Sequence, residues 1–246
     1  MYFTGRSLEA TRTQVAVAEQ GQLTDRFTKA VDQLDRAGAD HLQARLGAIY
    51  ALERLARDSS RDQPTFVEVL SAFIRTTTPQ PVPTPTGTTP PADACPRQAV
   101  APDIQAALTV LGRRDSTHDR AARIDLHGTC LAGADLHRAD LGGALLRGAD
   151  LHRADFSGAL LRGTILNGAN LYRADFYRAD LHRAHLSFAV LDGAGLHGAN
   201  LHRADLGGAD LRRANLNGAD LRDARHDEQT DITNVTIDQD TRGQWW

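Results

Sequence analysis

The sequence predicts a mainly β solenoid preceded by a small α-helical module. Three observations carry that prediction. From residue 126 to residue 221 a Leu or Phe stands at every fifth position without a miss, twenty in succession. Residues 76–102 hold eight of the nine prolines and divide the chain in two. Before that break, apolar residues recur at helical spacing.

Residues 1–21 form an N-terminal segment in which 5–20 has the pattern of a further helix, with thin apolar content. Residues 22–75 read as a helical module. Leu23, Phe27, Ala30, Val31 and Leu34 lie on one helical face, and Leu42, Leu46, Ile49 and Leu52 lie on a second. Phe66, Val69, Leu70 and Phe73 make a third, opened by Pro64 at a first-turn position. Gly47 weakens its helix and is expected to mark a close helix crossing. The proline- and threonine-rich stretch 76–102 reads as a semi-stiff extended linker. Residues 103–116 then give a short capping helix, with Ile104, Ala107, Leu108 and Leu111 on one face and Arg113, Arg114 and Asp115 near its end.

Over residues 124–224 the unit is Ala-Asp/Asn-Leu-x-x. A period of five suits neither regular element. On an α-helix successive leucines would rotate by about 140° and never share a face. On a flat strand an odd period sends alternate leucines to opposite sides. All twenty are buried together only if the chain bends once per unit, with Ala and Leu pointing inward from a short extended piece and the remaining residues turning a corner. Glycines at many corner positions (Gly128, Gly133, Gly143, Gly148) fit tight turns. A narrow bore filled by Ala and Leu also accounts for an aromatic content of only 5%.

Segments such as Ala139-Asp140-Leu141, Ala169-Asn170-Leu171 and Ala204-Asp205-Leu206 resemble the pentapeptide-repeat family over residues 124–224. The resemblance implies a right-handed quadrilateral β-helix with four repeats per coil. Twenty repeats then make about five coils, a rod of roughly 24 Å at the usual strand spacing. The period of five does not by itself set four sides. The helical module, with Gly47 to Arg54, resembles the one that precedes the repeats in many bacterial relatives, which often carry membrane helices upstream. Association with a membrane is expected here only if an anchor precedes Met1. Residues 225–246 read as a loop over 225–230, degenerate repeats with Ile232 and Ile237 inward beside Thr230 and Val235, and a tail ending at Trp245 and Trp246. The capping helix and this tail are the expected covers for the two ends of the bore.

Composition excludes several functions. A net charge of −3 argues against nucleic acid as a partner, and no apolar run approaches the length of a membrane span. Without a signal-peptide pattern the chain is expected to be cytoplasmic. Cys95 and Cys130 lie within reach of each other on the solenoid reading, but in a reducing compartment they are expected as free thiols. No metal or cofactor motif is present. The Asp between Ala and Leu recurs in coil after coil, and so reads as structural, bonding corner backbone or nearby Arg, with no unique pair for acid–base catalysis. Stacking residues twenty apart places Arg162, His182, His202 and Arg222 in one column, a candidate anion site, although Arg outnumbers Lys 27 to 1 throughout the chain and fills many solvent positions. Apolar residues replace the polar middle residue at Leu145, Leu160, Ile165 and Val190, with Phe188 at a corner. These five form a candidate interaction patch, expected to be covered by the helical module or by a second subunit.

A rigid rod without a pocket suits a non-enzymatic protein–protein interaction or scaffold role, with an unidentified protein or a second copy of the chain as partner. The rival within the resembled family is a DNA mimic that modulates a type II topoisomerase such as gyrase. That role calls for a strongly negative rod. Residues 124–224 hold twelve Asp and no Glu against eleven Arg, a net of −1 with neutral His. A duplex carries about one charge per 1.7 Å.

Overall fold

In the computed structural model the chain is described over residues 3–80, residue 95 and residues 100–246. Most of the proline-rich linker lies outside these residues. Among the described residues there are four α-helices: α1 (Phe3–Leu34), α2 (Leu42–Asp58), α3 (Gln63–Thr77) and α4 (Pro102–Gly112). The first helix runs unbroken from Phe3 to Leu34, so the described part of the N-terminal segment is helical and continuous with the first helix of the module. Its apolar content is thin along the first turns; among the described residues Ala30 and Leu34 at its far end are buried in the core, with Leu23 and Phe27 packed against it. They pack with Ile49 and Leu52 of α2 and with Phe66, Leu70 and Ile74 of α3, all under 4% exposed. Phe27 meets Phe66 edge-on at 5.6 Å. The expectation for Gly47 is not met: a methyl group there would touch nothing within 4 Å.

Beyond residue 124 the backbone winds into a four-sided coil. Residues twenty apart pair in parallel: Asp125 with Leu145, Cys130 with Asp150, Asp135 with Asp155 and Asp140 with Leu160. These four columns define the first to fourth faces. Among the described residues no extended strand forms, so the mainly β expectation holds only as a ladder of isolated bridges. Each face contributes one paired residue per coil before the chain turns. The Ala and Leu on either side of it point into the bore, where most are less than 2% exposed. Phe156 and Phe176 occupy Leu positions on the third face and stack at 4.9 Å.

The coils continue past the last perfect repeat. Asp210 pairs with Asp231, Asn215 with Thr236 and Asp220 with Arg242, at separations of 21, 21 and 22 residues. Residues 224–243 therefore make a sixth coil, with one extra residue before Asp231 and another before Arg242. Thr230 and Thr241 take Ala positions and donate to the carbonyls of Leu206 and Leu216 one coil down, both at 3.0 Å.

The N-terminal mouth of the rod is sealed face by face. On the first face the Asp125 N–H donates to Ser71 Oγ, and its carbonyl accepts from Arg75. On the second, Cys130 N–H donates to the Thr78 carbonyl and Gln80 N–H donates to Gly128, an antiparallel pairing with the end of α3. Gln105 of α4 serves the third face with both ends of its amide, accepting from Asp135 N–H and donating to its carbonyl. Gly112 accepts from Asp140 N–H, and Arg114 donates to the Asp140 carbonyl on the fourth. Each face thus receives a donor and an acceptor, as a further coil would supply. Ile104, Ala107, Leu108 and Leu111 plug the bore, all at most 2% exposed. Bonds from Arg45 to Asp103, from Arg113 to Glu53 and from Gln63 to Asp119 tie the plug and the turn after it to the helical module.

The opposite mouth is covered more sparsely, by Ile232, Val235 and Trp245, which pack against the end of the core. Ile237 is 43% exposed, and Ile232 and Val235 are half-buried. Trp245 is half-buried and packs against the core. It stacks on His226 at 4.4 Å beside the coil. The two cysteines depart from expectation, since Cys95 and Cys130 are joined in a disulfide with Cα atoms 5.4 Å apart.

Candidate functional site

The repeated carboxylates are consumed by the turns. An Asp at the paired position sits two residues before the first corner residue, so its Oδ1 reaches that residue's N–H. Asp135, Asp140, Asp175 and Asp205 each accept such a bond at 2.9–3.2 Å, from His137, Gly142, Tyr177 and Gly207. Asn170, Asn200 and Asn215 do the same. A carboxylate so held, repeated in coil after coil, is a turn device. Among the described residues no group of three His, Cys, Asp or Glu is placed to hold a metal ion.

The column Arg162, His182, His202 and Arg222 lies along the corner between the fourth and first faces. His182 and His202 stack at 5.2 Å. Arg162 pairs with Asp180, and Arg222 grips Asp220 with two bonds of 2.9 and 2.6 Å. The Arg222 guanidinium holds the Asp220 carboxyl down to about 2, against desolvation that pushes the other way. His202 Nδ1 lies 2.8 Å from the Arg222 carbonyl. Both arginines at the ends of the column thus face a carboxylate of the fourth face. One partner is eighteen residues ahead and the other two behind.

Leu145 and Ile165 pair directly on the first face and are half-buried. Leu160 stands on the fourth face one corner away, 46% exposed. Val190, on the second face, is 38% exposed, and Phe188 at the corner beside it is 64% exposed. Phe188 has φ of 60°, and its ring lies over Gly208 of the next coil, where a Cβ would fall 2.5 Å from it. The described contacts of the helical module and the residues just after it end on the first coil, apart from the Gln80 amide, which donates to the Gly148 carbonyl of the second. Leu160, Val190 and Phe188 are left facing solvent, so the module does not cover them.

Two further surface features escaped the sequence. Tyr177 is 39% exposed and stacks on His197 at 5.5 Å, with the Arg178 guanidinium 5.1 Å from its ring. The register that joins them is the twenty-residue coil, which the five-residue period leaves open. Gln105 and Arg75, which seal the rod, look like any exposed polar residue on an amphipathic helix.

Comparison with known proteins bears on the same region. The family described as Pentapeptide repeats matches in eight copies, over residues 129–168, 169–208 and 189–225. No curated protein matches. Among solved structures, QnrB1, a plasmid-mediated fluoroquinolone resistance protein, is 23% identical over 48% of this chain and 63% of its own, with a TM-score of 0.35. HetL, involved in heterocyst differentiation regulation in the cyanobacterium Nostoc, is 38% identical over 41% of this chain and 51% of its own, with a TM-score of 0.23. A pentapeptide repeat protein of the Arabidopsis thaliana thylakoid lumen is 31% identical over 42% of this chain and 69% of its own, with a TM-score of 0.21. The matched region thus spans about half to two thirds of the length of QnrB1 and HetL.

Proposed function

The chain belongs to the pentapeptide-repeat family, and from that premise we propose that it is a non-enzymatic binding protein whose β-helical rod presents a contact surface to another protein. The observation that carries this reading is the exposure of Phe188, Leu160 and Val190 on a surface otherwise occupied mostly by polar residues and glycine. A paired position normally holds a residue that bonds the turn, and the apolar replacements give that bond up. The exposed ring and aliphatic groups are unfavourable in water unless a partner buries them. The coil beneath is held by a hydrogen-bond ladder on all four sides, so little ordering cost accompanies binding.

Mimicry of a DNA duplex is the weaker reading. Besides the net of −1 over residues 124–224, several carboxylates are neutralised at close range, with Asp192 paired to Arg213, Asp210 to Arg212 and Asp220 to Arg222. A gyrase supercoiling assay is expected to show no inhibition, and inhibition at sub-micromolar protein would favour mimicry instead. For the preferred reading, the whole chain and a Leu160→Asp/Phe188→Asp variant are compared as baits in affinity enrichment. At least one protein is expected to be enriched by the first and lost with the second, at unchanged melting temperature. Retention of every partner by the variant would contradict the assignment of the patch.

A further inference from the structure

We propose that the Cys95–Cys130 disulfide is a redox latch on the plug that seals the N-terminal mouth of the rod. The bond closes a covalent ring over residues 95–130, and this ring contains the whole of α4. Cys130 lies on the second face of the first coil, where the next coils carry Asp150 and Asn170. Its neighbour Thr129 pairs with Pro79 at the end of α3. The latch therefore joins three parts at one point: the end of the helical module, the segment leading into the plug, and the edge of the first coil.

Everything else that holds the plug is non-covalent. Apart from the backbone that runs on from α4 into the coil, its attachments to the first coil are apolar packing and the bonds from Gln105, Gly112 and Arg114. Its attachments to the helical module are apolar packing and the Arg45–Asp103 and Arg113–Glu53 ion pairs. With the disulfide open, plug and module remain joined to each other, while Cys95, seven residues before the start of α4, is freed from the second face.

The two sulfurs differ in access. Cys95 is 3% exposed and Cys130 is half-buried, with its sulfur 3.8 Å from the Pro79 carbonyl. A thiolate of a dithiol reductant attacks the more accessible Cys130 sulfur, the S–S bond breaks, and Cys95 leaves as a thiolate that takes up a proton. The reductant's second thiol then attacks the mixed disulfide, closes its own disulfide and releases the Cys130 thiol. Two electrons and two protons pass from the dithiol to the two cysteines. The latch is shut in an oxidising compartment and open in a reducing one.

The test uses the whole chain, purified in air, with hydrogen exchange followed by mass spectrometry with and without dithiothreitol. Thiol titration reports the state of the bond, because the chain has no other cysteine. No thiol is expected before reduction and two after it. On reduction, amides of 102–112 and 134–141 are expected to exchange at least about tenfold faster, while those of 184–203 stay unchanged. Cys130→Ser should show the reduced pattern without reductant and no response to it. Two thiols in the air-purified protein would overturn the proposal. So would unchanged exchange at 102–112 and 134–141 after full reduction, or equal acceleration in every coil.

Discussion

Gly47 and Gly112 show how differently one residue type is used. Gly47 lies within α2 with open space around its Cα. Alanine there should stabilise the protein by about 0.5–1 kcal/mol, through helix propensity and a less flexible unfolded chain. Gly112 ends the plug helix against the wall of the bore, and a Cβ would fall 2.7 Å from the Ala139 methyl group. Alanine there must push the helix off the first coil or shift the coil, at a cost of roughly 1–3 kcal/mol. Urea unfolding of Gly47→Ala and Gly112→Ala should give shifts of opposite sign, and a common sign would refute the packing described at one of the two sites. At this scale the sequence told part of the story. The structural role of Asp135, Asp140 and Asp205 was legible from their repetition. The dual bond of the Gln105 amide to Asp135 was not, because nothing local separates a glutamine that seals a sheet edge from one that faces water.

The elements of the chain differ most in their ends. The first coil is bonded by Ser71, Arg75, Thr78, Gln80, Gln105, Gly112 and Arg114, whereas the sixth has no coil beyond it. Acidic groups accumulate at that end. Asp220 is held low by Arg222, Asp231 by the Thr233 hydroxyl and backbone, and Asp238 chiefly by the Gly218 N–H. A carboxyl whose folded value is depressed adds stability above its unfolded value, and that stability is lost as pH falls through the folded value. The last coils should therefore loosen between an unfolded carboxyl value of about 4 and the value of about 2 that Asp220 takes in the fold. Both tryptophans of the chain, Trp245 and Trp246, lie there, so their fluorescence reports this end alone. Titration from pH 5 to pH 2 should change tryptophan emission before the far-ultraviolet circular dichroism, and simultaneous changes would show that the end is no weaker than the rest.

The repeat made the rod legible, since only a chain bending every five residues buries Leu126 through Leu221 together. Residues 225–246 were legible too, because Ile232 and Ile237 keep the interval of five after one inserted residue. Other features were out of reach. Four sides per coil cannot be read from a period of five when the residues at 145, 165 and 185 are Leu, Ile and His. The partnership of Cys95 with Cys130 depends on where a proline-rich segment returns in space. That return reverses the simple picture of a spacer, because Pro79 and Cys95 flank most of the segment and both attach to neighbouring residues of the first coil.

The whole molecule is a rod with one tightly bonded end and one sparsely covered end, and an apolar patch on its side. A continuous apolar core runs from Ala30 of α1 through the plug to Leu221, so helical module and rod are packed as one body. Closing the ring between Cys95 and Cys130, 35 residues apart, should add about 3–4 kcal/mol in the chain-entropy account, concentrated at the tightly bonded end. Hydrogen exchange of the oxidised full-length chain at neutral pH tests the polarity of the rod most directly. The account predicts that the amides of Asp125, Asp135 and Asp140 are as protected as those of the central coils, and that protection falls steadily through Asp220 to Ile232 and Ile237. Uniform protection along the rod, or faster exchange in the first coil than in the sixth, would contradict it.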